Sequence, residues 1–351
     1  MFDNPSDRDV YGEVSAREVD LVEITKRKAD HVSLALTDKT QYGIKSGFES
    51  IALLHNALPE CSLASVDTSV DFLGRKISAP LMISAITGGY QKAKEINRQL
   101  AAVSQRQKIA FGLGSQRAMI EDPSTAATYK VRDVAPDIPV VANIGAAQLR
   151  TYSREQISSL VSTVEADALA IHLNPLQEVI QPNGDCDFSG VLDSIRKCVD
   201  YLDVPVIVKE TGAGISADVA AKLADAGVKW IDVSGAGGTS WSKIEYARNK
   251  KAVPGFEEWG IPTVDCLLMC KGILPMIASG GVRSGIDVAK AIALGADMAA
   301  AAQPFLKALM KNRLEEEIVL WKKQLTIAMF LTGSKNISEL KSAKFLLSKH
   351  F

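Results

Sequence analysis

One pattern repeats along the chain. A short apolar run gives way to a glycine or polar turn, then to a stretch with apolar residues three and four apart. The runs predict strands at Leu81–Ser84, Ile109–Gly112, Val140–Asn143, Ala168–His172, Val206–Lys209, Trp230–Val233, Met276–Ala278 and Met298–Ala301. They are short and apolar without alternation, as strands covered on both faces are. The stretches between them predict helices over Lys92–Arg106, Pro123–Asp133, Arg154–Val164, Phe188–Leu202, Ala217–Ala226, Val264–Lys271 and Gly285–Leu294. Gly227 and Gly295 stand where two of these helices stop. Eight alternating units in about 230 residues argue for an α/β fold, a (β/α)8 TIM barrel, with a doubly wound sheet as the alternative. Residues 1–65 read as a helical, polar N-terminal extension, and residues 66–351 as the barrel with C-terminal helices. The segment after Lys311 is charged and helical in pattern, which predicts the last barrel helix and a helical tail.

Composition narrows the function. The 351 residues carry 40 Lys+Arg against 41 Asp+Glu, a net charge of −1. That balance excludes a nucleic-acid binder or membrane-surface protein driven by bulk charge, but it leaves room for a local basic pocket. Met1 to Tyr11 is acidic and polar and does not read as a signal peptide, and no apolar run is long enough to predict a membrane span. Cys61, Cys186, Cys198, Cys266 and Cys270 are odd in number and include no C-x-x-C. Reduced thiols in a cytoplasmic protein are expected. Cys266 and Cys270, four apart on a predicted helix, read as small buried apolar residues, because no further metal ligands lie near them in sequence.

The glycines are not spread evenly. Of 25, 12 fall just after predicted strands: Gly88, Gly89, Gly112, Gly114, Gly145, Gly212, Gly214, Gly235, Gly237, Gly238, Gly280 and Gly281. In a barrel that is the C-terminal face, where active sites are built. Turns there use glycine in any case, but Ser279-Gly280-Gly281-Val282-Arg283 and Ala301-Ala302-Gln303-Pro304 follow the seventh and eighth strands. Loops in those two places commonly bind phosphate, so a phosphorylated cofactor is expected. Polar residues crowd the same face: Thr87, Ser115, Arg117, Asn143, Lys209, and the run His172, Asn174, Gln177 and Glu178. Lys209 closes an apolar strand and is predicted to point into the mouth. Glu178 suits a hard cation such as Mg2+.

Taken together, these motifs resemble the type 2, flavin-dependent isopentenyl-diphosphate delta-isomerase family. The matching segments are Arg27-Lys28-x-x-His31, Ile86-Thr87-Gly88-Gly89, Gly114-Ser115-Gln116-Arg117, His172-Leu-Asn174-Pro-Leu-Gln177-Glu178, Val208-Lys209-Glu210-x-Gly212-x-Gly214-Ile215-Ser216, Ser234-Gly-x-Gly-Gly238-Thr239 and Ser279-Gly280-Gly281. They come in the family's order and span most of the chain. The resemblance implies an FMN-bound barrel that interconverts isopentenyl and dimethylallyl diphosphate, active with reduced FMN and Mg2+. NAD(P)H would be the reductant, and the assembly a homotetramer or larger.

The resemblance also implies roles. FMN would lie against Ala85, Ile86, Thr87, Ser115, Asn143 and Lys209, with Ser234 and Thr239 in the same pocket. Gly280, Gly281, Val282, Ala302 and Gln303 would hold its phosphate. Arg27, Lys28 and His31 from the extension, and Ser115, Gln116 and Arg117 from the barrel, would hold the substrate diphosphate. His172 and Asn174 would orient the substrate, Gln177 would sit beside the reacting carbons, and Glu178 would hold Mg2+. Two redox barrels are the alternatives. A 2-hydroxy-acid oxidase needs a histidine base and arginines near the sixth strand, and Ser234–Trp241 contains neither. An inosine-monophosphate-dehydrogenase-like enzyme needs a nucleophilic loop cysteine, and the sole candidate, Cys186, lies far in sequence from the phosphate loops.

Overall fold

The structure is a computed structural model that describes residues 27–249 and 252–347. Eight parallel strands close a barrel: β1 (Leu81–Ile83), β2 (Ala110–Gly112), β3 (Val140–Gly145), β4 (Ala168–Leu173), β5 (Val206–Glu210), β6 (Trp230–Asp232), β7 (Met276–Ala278) and β8 (Met298–Ala301). The closing pair is β8 with β1, in the register Ala299↔Leu81 to Ala301↔Ile83. All eight coincide with predicted strands, and the doubly wound alternative is excluded.

Register sets up the mouth. Gly145 pairs with His172, His172 with Lys209, and Lys209 with Asp232. Residues paired across neighbouring strands share a side of the sheet. Three polar side chains therefore form one row around the rim of β4, β5 and β6.

Below that row the interior is filled by small and medium apolar side chains, among them Met82, Val141, Ala170, Ile207, Ile277 and Ala300. A hairpin missed by the pattern reading, Val70–Phe72 with Arg75–Ile77, stops the other end. Phe72 packs edge-on against Trp230 at 5.0 Å, and Ile77 joins the same cluster. Its two-residue turn puts both Leu73 (φ 51°) and Gly74 (φ 75°) in the left-handed region. A leucine in that first position gives no turn signal, which is why the hairpin is silent in the sequence.

Two predicted helices change character. Pro123–Asp133 is a 3-10 turn, Pro123–Thr128, followed by irregular chain. Thr128 is turned inward: its hydroxyl accepts from the Gly89 amide (2.8 Å) and its carbonyl accepts from Asn97 (2.9 Å). The described part of the extension is not mainly helical. One helix, 27–35, is followed by short 3-10 turns and the strand Ile51–Leu53. That strand pairs antiparallel with Phe345–Leu347, so the C-terminal tail includes a strand as well as helices. The remaining helices fall within a few residues of expectation. Leu314–Thr332 locks onto the barrel through fully buried Trp321, whose ring lies 4.7 Å from Phe305.

Residues 27–43 cross the mouth as a strap. Tyr42 N donates to Gly238 O (2.9 Å), Ser240 N to Thr40 O (2.8 Å), and Gln303 Nε2 to Ala35 O (2.7 Å). No helix among the described residues is long and apolar enough to cross a membrane.

Candidate active site

The strap and the strand ends line a cleft of about 160 Å³. One wall is Arg27, Lys28 and His31 from the strap helix. The other comes from the end of β5 and the loops after β1, β2 and β4, and includes Lys209, Thr87, Ser115, Arg117 and Asn174. Thr211 is shared with a second cavity of about 90 Å³, lined by Ser234, Thr239, Gly280, Gly281, Val282 and Ala302 among others. The expected ring-binding and phosphate-binding residues thus line two adjoining spaces.

The second cavity suits a phosphate. Helix Gln303–Met310 starts at its wall, where the positive end of the helix dipole favours an anion and Pro304 takes the second helical position. Its loops touch so closely that a Cβ on Gly238 would stand 2.7 Å from Gly281 N, and one on Gly280 2.0 Å from Gly235 O. Ser234 holds φ 37°, a strained setting for a non-glycine residue, and one that often marks a ligand clamp. Gln303 also lines this cavity, and its side-chain amide ties the strap at Ala35. Thr239 Oγ1 accepts from Gln41 of the strap (3.1 Å).

In the larger cleft, His172 Nδ1 bonds Asn143 Oδ1 at 2.8 Å. With the amide oxygen accepting, the ring proton sits on Nδ1 and leaves Nε2 as an acceptor. Burial, with Lys209 and Lys28 nearby, pushes His172 down to about 3, so the ring is neutral at physiological pH. Lys209 Nζ donates to Glu210 O (2.5 Å). The Glu210 carboxylate turns away from the cleft and fastens the next loop by accepting from the Thr211 and Gly212 amides, both at 2.6 Å.

Asn174, Gln177 and Glu178 follow β4 on one turn of helix Pro175–Ile180. Asn174 Nδ2 donates to Glu178 Oε1 (2.9 Å) and to Gln177 Oε1 (3.3 Å). Gln177 Nε2 reaches Glu245 Oε1 (3.4 Å), which also takes His31 Nε2 at 2.8 Å. The second Glu245 oxygen pairs with Arg248 (2.7 Å). Despite full burial, these partners hold the Glu245 carboxyl below the usual range.

Glu245 was missed because its helix, Trp241–Arg248, was not among the predicted ones and its partner His31 is more than 200 residues away in sequence. Trp241, also missed, presents its ring edge-on to His31 at 4.9 Å and faces the cleft. Gln148 completes that wall.

Gln116 departs from expectation. Its side chain is fully buried away from the cleft, where it donates to Leu160 O (3.1 Å) and accepts from Asn143 N (2.9 Å). It braces β3 and the loop after β2. Arg117 does line the cleft, held by Glu121 at 2.8 Å. Cys266 and Cys270 are buried. Their thiols are pushed up to about 12 and about 11, mainly by burial, and they lie against the Ile261 and Ile215 carbonyls. No cluster of three or more His, Cys, Asp or Glu suited to a metal occurs among the described residues.

In fold the chain is a (β/α)8 barrel. It superposes on mandelate oxidase with a TM-score of 0.61 at 18% identity, covering 93% of this chain and 98% of that one. A mandelate oxidase variant holding 4-Br-2-hydroxy-methylphenylacetate gives 0.64 at 16%, covering 95% and 100%. At those identities the likeness concerns the fold alone. Residues 179–347 match the family described as FMN-dependent dehydrogenase. Isopentenyl-diphosphate delta-isomerase of Rickettsia bellii (strain RML369-C) is 47% identical over 334 residues, 92% of this chain and 98% of its own length. The protein of the same name in Rickettsia africae (strain ESF-5) is 46% identical over 333 residues, 92% and 97%. The chain belongs to the type 2 isopentenyl-diphosphate delta-isomerase family.

Proposed function

We propose that this cleft interconverts isopentenyl and dimethylallyl diphosphate, with FMN and Mg2+ as cofactors. The observation that carries this reading is the pairing of opposite environments in one cavity. Arg27, Lys28 and Arg117 gather positive charge at one side, and Trp241 and the Gln177 carboxamide face the same space. A diphosphate with a short alkene tail matches both.

The reaction adds one proton and removes another with no net redox change. An alkene is a weak base, so proton donor and acceptor must be held close to its π-face. Ala85, Thr87, Asn143 and Lys209 would hold reduced FMN, which would supply the acid–base group for that exchange. Asn174 and Glu245 fix the Gln177 carboxamide from both ends, so it orients the alkene and relays a proton. Neutral His172 orients the substrate without adding charge. Protonation leaves a tertiary carbocation that water would quench; the strap covers the mouth, and the Trp241 ring offers it a π-face.

Glu178 suits Mg2+ as its only protein carboxylate. Mg2+ binds through one or two carboxylates, substrate phosphates and water. The two Glu178 oxygens are held by Asn174 and by the Asp185 amide (both 2.9 Å), which fixes the carboxylate. Glu178→Gln is expected to lower kcat/KM about 100-fold and to raise the Mg2+ concentration for half-maximal activity. An unchanged Mg2+ response would remove Glu178 as the ligand.

Lys28 makes diphosphate binding depend on pH. Burial, then Arg27 and Arg117, push its ammonium down to about 7. The amine is charged below that value and neutral above it, and only the charged form attracts the diphosphate. KM is therefore expected to stay flat up to about pH 7 and then rise up to about tenfold per unit. Lys28→Arg, whose guanidinium keeps its charge, is expected to flatten the alkaline limb. A wild-type KM constant from pH 6 to 9 would place the diphosphate elsewhere.

NAD(P)H serves in activation of the flavin, outside each turnover. A homotetramer or larger assembly in the cytoplasm completes the reading, and exposed Ile286, Leu320, Ile327 and Leu331 offer it an apolar face. The deciding experiment is an anaerobic assay of isopentenyl diphosphate with FMN, Mg2+ and dithionite in deuterated water. Deuterium-labelled dimethylallyl diphosphate is the expected product. Equal turnover in air with oxidised flavin would overturn the reduced-cofactor requirement.

A further inference from the structure

Tyr129 follows the 3-10 turn Pro123–Thr128 and its side chain is fully buried. Its hydroxyl stands 2.8 Å from Ser115 O and 2.8 Å from Lys28 Nζ. Lys28 Nζ also donates to Ser115 O at 3.0 Å. The three groups close a triangle. A phenol has one proton; given to the Ser115 carbonyl, it leaves a lone pair for the ammonium. Burial pushes the Tyr129 phenol far above its ordinary range, so it keeps that proton.

Two glycines make room for the ring. A Cβ on Gly88 would lie 1.9 Å from Tyr129 Cε1. One on Gly89 would lie 3.0 Å from the Tyr129 hydroxyl and 2.9 Å from Lys28 Nζ. The Gly88-Gly89 pair, which the sequence suggests as a ligand loop, is thus needed to admit an aromatic ring behind the loop. Tyr129 is absent from the cleft wall, whereas Lys28 and Ser115 both form it.

We infer that Tyr129 is a positioning residue for the anionic end of the substrate: it pins the Lys28 ammonium to the Ser115 carbonyl and leaves one ammonium N–H for a diphosphate oxygen. The inference rests on the proposed diphosphate site at Lys28. An ammonium has three donors, and the triangle uses two. Without the phenol oxygen the Lys28 side chain has one fixed partner instead of two, and it must be ordered when the substrate binds.

A double-mutant cycle on the FMN-loaded enzyme with isopentenyl diphosphate and Mg2+ tests this. Tyr129→Phe keeps the ring between Gly88 and Gly89 and removes only the oxygen. It is expected to raise KM about tenfold, the scale of a lost hydrogen bond to a charged group, with kcat within about twofold and flavin affinity unchanged. Lys28→Met is expected to raise KM further. In the Lys28→Met background, Tyr129→Phe is expected to change KM less than about twofold, because the group it acts through is gone. Three results overturn the proposal: an unchanged KM in Tyr129→Phe, an equal fall in kcat, or multiplicative effects in the double variant. If Lys28→Met alone leaves KM unchanged, the diphosphate site fails and the role of Tyr129 fails with it.

Discussion

Gln177→Ala is expected to lower kcat by about 10²- to 10⁴-fold, the range for removal of a positioned proton-transfer group. Affinity for FMN should stay within about twofold, because the carboxamide is not part of the phosphate cavity. The size of the effect follows from how the amide is held. Asn174 Nδ2 at 3.3 Å and Glu245 Oε1 at 3.4 Å grip its oxygen and its nitrogen separately, and Glu245 is itself held by His31 and Arg248. Truncation removes the group proposed to sit beside the reacting carbons and leaves Glu245 in place, so the site keeps its charges and loses the alignment. Stopped-flow product formation with pre-reduced enzyme measures the step directly. A variant with wild-type kcat would remove Gln177 from the chemistry.

Gly280→Ala is expected to weaken FMN binding by about 100-fold or more and to give a colourless protein on purification. Two faults coincide there. The residue needs φ 93°, and its Cβ would stand 2.0 Å from Gly235 O and 2.7 Å from Gly235 N. The loops after β6 and β7 would have to separate, and the phosphate cavity lies between them. Gly272→Ala is the control, since its φ is 82° and nothing lies within 4 Å of its Cβ. It carries the backbone strain without the collision and is expected to bind FMN normally. Quenching of free flavin fluorescence on titration separates the two. Wild-type affinity in Gly280→Ala would move the phosphate out of this cavity.

Much of this architecture is legible in the sequence, for a definite reason. Parallel strands covered on both faces are short apolar runs, and the residue that ends such a run sits at the rim. Asn143, His172 and Lys209 could be placed on one face without knowing any contact. What escaped depends on contacts between distant segments. Gln116 and Arg117 are adjacent in sequence, yet one braces β3 and the other lines the cleft. Glu245 looks like a solvent residue until His31 and Gln177 are brought to it. Tyr129 lies in a stretch that reads as a regular helix, and its irregular path is set by Asn97 and Gly89 bonding to Thr128.

The ribbon of Ile51–Leu53 with Phe345–Leu347 has a consequence for synthesis. A ribosome makes the first strand long before the second, and the loop between them is roughly 300 residues, a closure whose entropy must be met late. The strap is rooted just upstream of that early strand. During translation the barrel units can pack in order as they emerge, and the strap can take up its bonds to Gly238, Ser240 and Gln303 once those loops are made. Only its root waits for Phe345–Leu347, so the ribbon closes over a strap and a mouth that are already assembled.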